Sequence, residues 1–238
     1  MLTRASIRSA IPFLALASGF AAGAVLMRRW PLRLVLIWSA AAMIAVGGGY
    51  LLASPRPFLK SPAGRRHPLS RLLLWPFDLL NVGIFRAYHR LCRRPAYDEV
   101  VPGLFLGRRL SNREAKALLP CAVLDLTCEY DENRSMRTST RYRCLPVLDN
   151  TAPTPAQLGA AVEWLSEATS RGRVFVHCAA GHGRSAAVVL AYLLARGTVN
   201  SVADGLAFLK RRRPGVRLNA GQRAALETFA VRRAAPPG

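Results

Sequence analysis

Cys178 and Arg184 stand six positions apart, with only Ala179, Ala180, Gly181, His182 and Gly183 between them. A thiol reacts as its thiolate, and a guanidinium is a planar fork that can grip two oxygens of a phosphate. The short residues between them let the backbone curl so that its N–H groups point inward. Ser185 follows and can donate a hydrogen bond to the sulfur. Inward amides, a helix N-terminus and an arginine all favour the sulfur anion over a thiol whose reference pKa is about 8.5. The chemistry these residues point to is capture of an oxyanion followed by attack of sulfur upon it.

Such a cradle must be held between a strand and a helix. Val174 to Val176 is short, apolar and β-branched or aromatic, which suits a buried strand. Ala186 to Ala195 is rich in Ala, Val and Leu and reads as a buried helix. The flanking chain alternates in the same way. Strands are expected near Leu104–Leu106, Ala122–Leu126 and Arg141–Pro146. Helices are expected near Asn112–Leu119, Thr154–Arg171, Ser201–Arg212 and Ala220–Arg232. Alternation of this kind implies an α/β fold, with a mainly parallel central sheet flanked by helices. The site then belongs at the C-terminal ends of the strands, where Cys178 falls.

His177-Cys178, five residues, then Arg184-Ser185 resembles the signature of the cysteine-based protein tyrosine phosphatases, and the surrounding chain is similar to their dual-specificity branch. The resemblance runs from about Tyr97 to Phe229. It includes Val101-Pro102-Gly103-Leu104-Phe105-Leu106-Gly107, Leu145-Pro146-Val147-Leu148-Asp149-Asn150, and Arg213-Pro214-Gly215-Val216-Arg217-Leu218-Asn219 with Gln222. It implies two-step hydrolysis of a phosphate monoester through a phosphocysteine, with no cofactor and no metal. It places the general acid at Asp149, on a turn after an apolar strand, where Asn150-Thr151-Ala152-Pro153 can form a mobile loop. Asp125 is the other carboxylate considered, and its place inside an apolar strand favours a structural role. His177 is expected to orient the loop. His182, inside the cradle, faces either substrate or solvent. Asn219 and Gln222 match family positions that support the loop or position water, and Asn219 can equally cap a helix. Arg211-Arg212-Arg213 reads as a solvated helix end or a contact for anionic lipid.

Charge is spread unevenly. The chain has 34 Lys+Arg against 13 Asp+Glu, and residues 1–95 hold 14 of those cations but a single acid, Asp78. Positive charge beside apolar runs points to a membrane rather than to nucleic acid, for which no binding signature is present. Ile11–Met27 and Leu34–Ala53 carry no charge, and the second run would span about 30 Å as a helix. They form a transmembrane hairpin over residues 1–53. Seven cations on its outer flanks against three in its link, Arg28, Arg29 and Arg33, favour cytoplasmic ends. The alternative is that the first run is a cleaved signal, which would move the catalytic domain across the membrane.

Residues 54–95 read as a Pro-rich basic linker, Ser54–Pro68, followed over Leu69–Arg94 by an amphipathic helix that can open at Pro76 and either lies in the headgroup plane or packs on the catalytic domain. Leu73, Phe77, Leu80, Ile84, Tyr88 and Leu91 recur along its apolar face, while Asp78, Arg86, His89, Arg90 and Arg93 lie elsewhere on it. Residues 96–238 are the expected catalytic domain. The five cysteines, Cys92, Cys121, Cys128, Cys144 and Cys178, fit neither a disulfide framework nor a zinc site. A reactive thiolate calls for a reducing compartment. Either Cys128 or Cys144 could serve as a resolving thiol, with plain packing the simpler role. With 31 Arg to 3 Lys the composition hints at a GC-rich bacterial genome and so an inner membrane. The expected partner is a phosphorylated protein. The alternative is an anionic phospholipid such as a phosphoinositide or phosphatidylglycerophosphate, and a non-catalytic phospho-binding scaffold is a more distant reading. Oligomeric state is not legible.

Overall fold

A computed structural model describes residues 4–91 and 94–234. Cys92 and Arg93 lie outside the described residues, as does the side chain of His89. Two compact units are present. One comprises the chain up to Ser61 and from Arg66 to Arg94; the other comprises Pro62–Arg65 and the chain from Pro95 onward.

The first unit opens with α1 (Arg4–Leu26) and α2 (Trp30–Leu51). Both are long and apolar enough to cross a membrane. The second begins four residues earlier than its uncharged run. Pro31 sits in its first turn, where a missing N–H leaves nothing unsatisfied. Ala10, Ala17 and Ala24 recur every seven residues on the buried side of α1. Gly47 of α2 lies so close to Leu14 that a Cβ there would stand 3.0 Å from it, and Phe13 stacks on Tyr50 at 5.1 Å. Small residues allow this close approach. Ile11, Leu16, Leu34, Val35 and Ile37 remain exposed.

A short 3₁₀ turn (Arg56–Phe58) precedes α3 (Pro68–Leu73) and α4 (Trp75–Leu91). One amphipathic helix was expected here. Pro76 has no N–H to bond the Leu72 carbonyl, so the helix stops and restarts around Leu74. Leu74 and Phe77 are buried along with Ser70, Phe77 against Phe58 at 5.7 Å. Leu80, Ile84 and Leu91, on the expected apolar face, are exposed. Asp78 pairs with the buried Arg66 at 2.6 Å.

The second unit is a five-stranded sheet in the order β1-β2-β5-β3-β4: β1 (Tyr97–Val101), β2 (Leu104–Arg108), β3 (Ala122–Thr127), β4 (Arg141–Val147) and β5 (Val174–Cys178). Every pairing is parallel except β1 with β2. The edge strand β1 is absent from the sequence reading because Asp98 and Glu99 break its apolar pattern, which an edge tolerates. Around the sheet lie α5 (Asn112–Leu118), α6 (Arg134–Arg137), α7 (Pro155–Arg171), α8 (Arg184–Ala195), α9 (Val202–Arg212) and α10 (Ala220–Ala234).

The central strand shows why both faces are covered. Val174, Val176 and Cys178 belong to the large core made with α7, α8, α9 and α10. Phe175, between them, belongs to a second cluster with Ala115, Leu118 and Met136. Alternate side chains of a strand point to opposite faces, so β5 serves two cores. Its α8 partner is buried from Arg184 to Leu193.

Candidate active site

The ends of three parallel strands converge on one spot: Cys178 closes β5, Leu148-Asp149 follows β4, and Cys128-Glu129 follows β3. The loop from Cys178 to Arg184 curls there into the N-terminus of α8. Its Gly181 has φ +71°, and a Cβ would lie 2.3 Å from the Gly107 backbone. Only glycine makes that turn against β2.

The loop's carbonyls are tied outward. Arg109 N–H donates to the Ala179 carbonyl at 3.1 Å and Arg217 N–H to that of His182 at 3.0 Å. Arg213 Nε donates to Gly181 at 2.9 Å. Turning carbonyls out leaves amides facing in. The Cys178 Sγ is nearly buried and accepts from Gly181 N–H and from Ser185 Oγ, each at 3.3 Å. Sulfur therefore faces the cradle, with donors on it.

Arg213 departs from its expected surface role. It is buried and held by Asp98 at 2.6 Å, while Arg211 and Arg212 beside it are exposed. A basic run at a helix end hides its one structural member, and no spacing distinguishes it. The edge strand β1 supplies that Asp98, so the strand missed in sequence braces the cradle.

Arg184 is almost fully buried, yet it is matched by charge. Its two terminal nitrogens grip Glu129 at 2.9 and 2.7 Å, one also donates to the Val147 carbonyl at 2.9 Å, and the other meets Asp149 at 2.8 Å. Burial by itself lowers a guanidinium's affinity for its proton; Glu129 and Asp149 outweigh this and hold Arg184 charged. Its Nε is buried without a hydrogen bond. That donor is free for an oxyanion. Glu129 was missed by sequence reasoning. The available signal was position: an acid just past the C-terminal end of a strand in a parallel sheet.

Asp149 itself is 64 % exposed at the side chain, so it can move. The loop carrying it is anchored from α10. Asn219 Oδ1 accepts from Gln222 N–H at 2.8 Å and Gln222 Oε1 accepts from Asn219 N–H at 3.1 Å, a reciprocal cap. The spare amide donors then reach the loop, Asn219 Nδ2 to the Asn150 carbonyl at 2.8 Å and Gln222 Nε2 to that of Thr151 at 2.9 Å. Asn150, at φ +56°, is one of few non-glycine residues in the left-handed region. Capping and loop support, weighed as alternatives for Asn219, are both present.

Behind the cradle, His177 is buried and stacks on Phe175 at 5.1 Å. Its Nε2 lies 3.2 Å from Glu132 Oε2 and 3.9 Å from Asp125 Oδ1. Asp125 also accepts from Tyr142 Oη and Thr127 Oγ1. Burial raises the Glu132 carboxyl above its ordinary value, and His177 opposes that rise. Asp125 lies in this cluster rather than in the cradle. His182 is half-buried at the cradle's rim. Cys121, Cys128 and Cys144 are buried and in no disulfide, and burial pushes Cys121 up to about 11.

Residues 110–232, just over half the chain, match the family model described as dual specificity phosphatase, catalytic domain. The chain belongs to the dual-specificity phosphatase family. Human dual specificity protein phosphatase 2 is 34% identical over 137 residues, covering 51% of this chain and 41% of that protein. Human dual specificity protein phosphatase 4 is 33% identical over 131 residues, 51% of this chain and 33% of that protein. The chain thus spans well under half the length of these relatives. The crystal structure of Tk-PTP in the active form superposes with a TM-score of 0.53 at 25% identity, covering 58% of this chain and 98% of that one. The structure of PTPMT1 in complex with PI(5)P shares the fold, with a TM-score of 0.53 at 20% identity over 59% of this chain and all of that one. A dual-specificity phosphatase fold thus accounts for the mainly parallel sheet and for the position of the cradle on it.

Proposed function

We propose that this dual-specificity phosphatase domain hydrolyses phosphate monoesters through a phosphocysteine, on a chain anchored in a membrane by α1 and α2. The supporting observation is the convergence of Cys178 Sγ, the inward amides, the Arg184 guanidinium and the exposed Asp149 on one cradle. A phosphate dianion enters over Sγ. The amides of Ala179, Ala180, Gly181, His182 and Gly183, with Arg184, hold its three equatorial oxygens. The incoming charge takes the edge of Arg184 that Asp149 occupies; Asp149, released from the guanidinium, takes up a proton from solvent and carries it to the leaving oxygen.

Sulfur then attacks phosphorus in line. The P–O ester bond breaks, and Asp149 gives its proton to the departing oxygen. In the second step water attacks phosphorus and passes a proton to Asp149. The S–P bond breaks, its electron pair returns to sulfur, and Ser185 Oγ–H steadies that sulfur. His177, Asn219 and Gln222 position the loops.

The proposed organisation is a membrane hairpin over 1–53, a linker with amphipathic helices over 54–95 and the catalytic domain over 96–238, the last on the cytoplasmic side. Phosphorylated protein is the leading substrate class. A phospholipid headgroup is the second reading, favoured by the two apolar helices and the basic N-terminal third, which would keep the domain beside a bilayer.

The test is phosphate release by the full chain in vesicles, with an aryl phosphate, a phosphotyrosyl peptide, a phosphoinositide and phosphatidylglycerophosphate compared side by side. Turnover of the aryl phosphate by wild type is expected. Cys178→Ser should abolish it, a loss of about four orders of magnitude or more, while retaining phosphate binding. Retained turnover in Cys178→Ser would falsify the assignment.

A further inference from the structure

We propose that the N-terminal unit holds one anionic phospholipid in a groove separate from the catalytic cradle. This rests on the membrane-anchor reading above. The groove, of about 830 Å³, runs between the C-terminal half of α2, the turn after it and α3. That volume lies within the range of about 300–1,000 Å³ typical of small-molecule sites. One wall is Ile44 and Gly48 of α2 with Leu52 at its C-cap; the other is Leu69 and Leu73 of α3.

The groove has a polar end and an apolar end. From Ile44 to Leu52 the helix rises about 12 Å, all of it apolar on this side. At the far end, just past the last residue of α2, stand Ser54 and Arg56. No acidic residue lines the groove. The Arg56 side chain is exposed and forms no hydrogen bond or ion pair among the described residues.

If α2 spans a bilayer, Arg56 lies at headgroup depth and the Ile44 end lies among acyl chains. The occupant that matches a cation above an apolar channel is a phospholipid with its phosphate on Arg56 and one chain along α2. The groove continues the exposed apolar side of α2 at Ile37 and Ile44, so a lipid reaches it sideways without leaving the bilayer. At Gly48 an added Cβ would meet nothing within 4 Å, so a larger side chain there fills the groove without disturbing the packing.

Tryptophan supplies the reporter. Trp38 and Trp75 stack at 5.6 Å, and Trp38 Nε1 donates to the Leu73 carbonyl on the groove wall. The full chain is reconstituted in phosphatidylcholine vesicles containing a fixed fraction of brominated phosphatidylglycerol or, in a parallel set, brominated phosphatidylcholine. Flotation with the vesicles is measured first, since it reports the anchor alone. The brominated anionic lipid should then quench at about a fivefold lower mole fraction than the zwitterionic one, the factor expected from one cation beside an anionic lipid.

Arg56→Gln should erase that preference with flotation unchanged. Gly48→Leu should weaken quenching by the anionic lipid with flotation unchanged. A chain that floats but is quenched equally by both lipids overturns the site and leaves the anchor standing. A chain that does not float overturns both. A dimer in detergent that Gly48→Leu converts to monomer, with no lipid preference, would seat a second copy in the groove and also overturn the proposal.

Discussion

Two buried pairs of a basic and an acidic side chain bracket Cys178, and they are built differently. In front, Arg184 meets Glu129 through two parallel hydrogen bonds and still shares an edge with an exposed Asp149. Behind, His177 faces Glu132 at 3.2 Å, but neither His177 Nε2 nor Glu132 Oε2 completes a hydrogen bond of good geometry. The front pair is a fixed fork with one replaceable partner, as a site that exchanges a carboxylate for a phosphate requires. The back pair is enclosed on all sides and has nothing to exchange. A buried acidic side chain beside a basic one thus suits two ends: exchange of partners where one of them reaches solvent, and support where none does.

The largest effect that tests this contrast comes from Glu129→Gln. It leaves the Arg184 charge buried with only the movable Asp149 to match it. Losing one partner of a buried pair costs about 3–5 kcal/mol. Thermal melting should drop accordingly, and kcat/KM for an aryl phosphate should fall by about a thousandfold or more as the fork loses its orientation. Saturating phosphate should restore part of the melting temperature, because the anion supplies the missing charge. A variant that melts and turns over like wild type would remove Glu129 from the cradle.

Next comes Asp149→Asn, which keeps the side chain's shape and removes the transferable proton. General-acid contributions are typically about 10²–10⁴-fold. The loss should approach that range for alkyl or phenyl phosphates and shrink toward tenfold for nitrophenyl phosphate, whose leaving group needs little protonation. A uniform loss across leaving groups would mean that Asp149 acts only through Arg184.

Much of this arrangement was legible from residue order. Cys178 closes a strand and Arg184 and Ser185 open the helix after a small-residue turn, as their order implies, and Asp149, whose position came from the family resemblance, lies against Arg184. The glycines carried information too: Gly181 falls where the loop runs against the backbone of β2. Glu129 and Arg213 were not legible, for one physical reason. Each works by matching a charge brought from far along the chain, Arg184 for the first and Asp98 for the second, and such pairs leave no local period. Strand β1 was missed for a related reason, since its polar residues face a partner rather than a core.

A smaller effect is expected at the hinge between these regions. Gln222→Ala removes a donor to the Thr151 carbonyl and half of the reciprocal cap with Asn219. The Asp149 loop should then sample more positions. kcat should fall by about tenfold, equivalent to one lost hydrogen bond of about 1.4 kcal/mol, with KM little changed. Gln222→Glu retains the cap's acceptor but loses the donor, so it should behave like Gln222→Ala in kcat while melting closer to wild type. Equal kcat in wild type and Gln222→Glu would show that the loop holds itself.

The smallest effect concerns the back pair and is a matter of sign. Burial raises the Glu132 carboxyl, against the pull of His177. For a carboxyl raised in the folded state, the unfolded chain gives up its proton first as pH climbs. Stability from this group is therefore complete below the ordinary Glu value of about 4.3 and is lost as pH rises through the higher folded value. Glu114 has the opposite sign. Burial pushes it up, but the Arg108 and Ser111 hydrogen bonds dominate and bring it down to about 2. Its contribution is present above about 4.3 and is lost as pH falls toward 2. Melting temperature followed from pH 2 upward should show both slopes in wild type. Glu132→Gln should flatten the decline above the ordinary Glu value and leave the acid limb intact, whereas Glu114→Gln should flatten the acid limb alone. If Glu132→Gln leaves the upper limb unchanged, the back pair is not holding a proton, and the contrast with the front pair reduces to geometry.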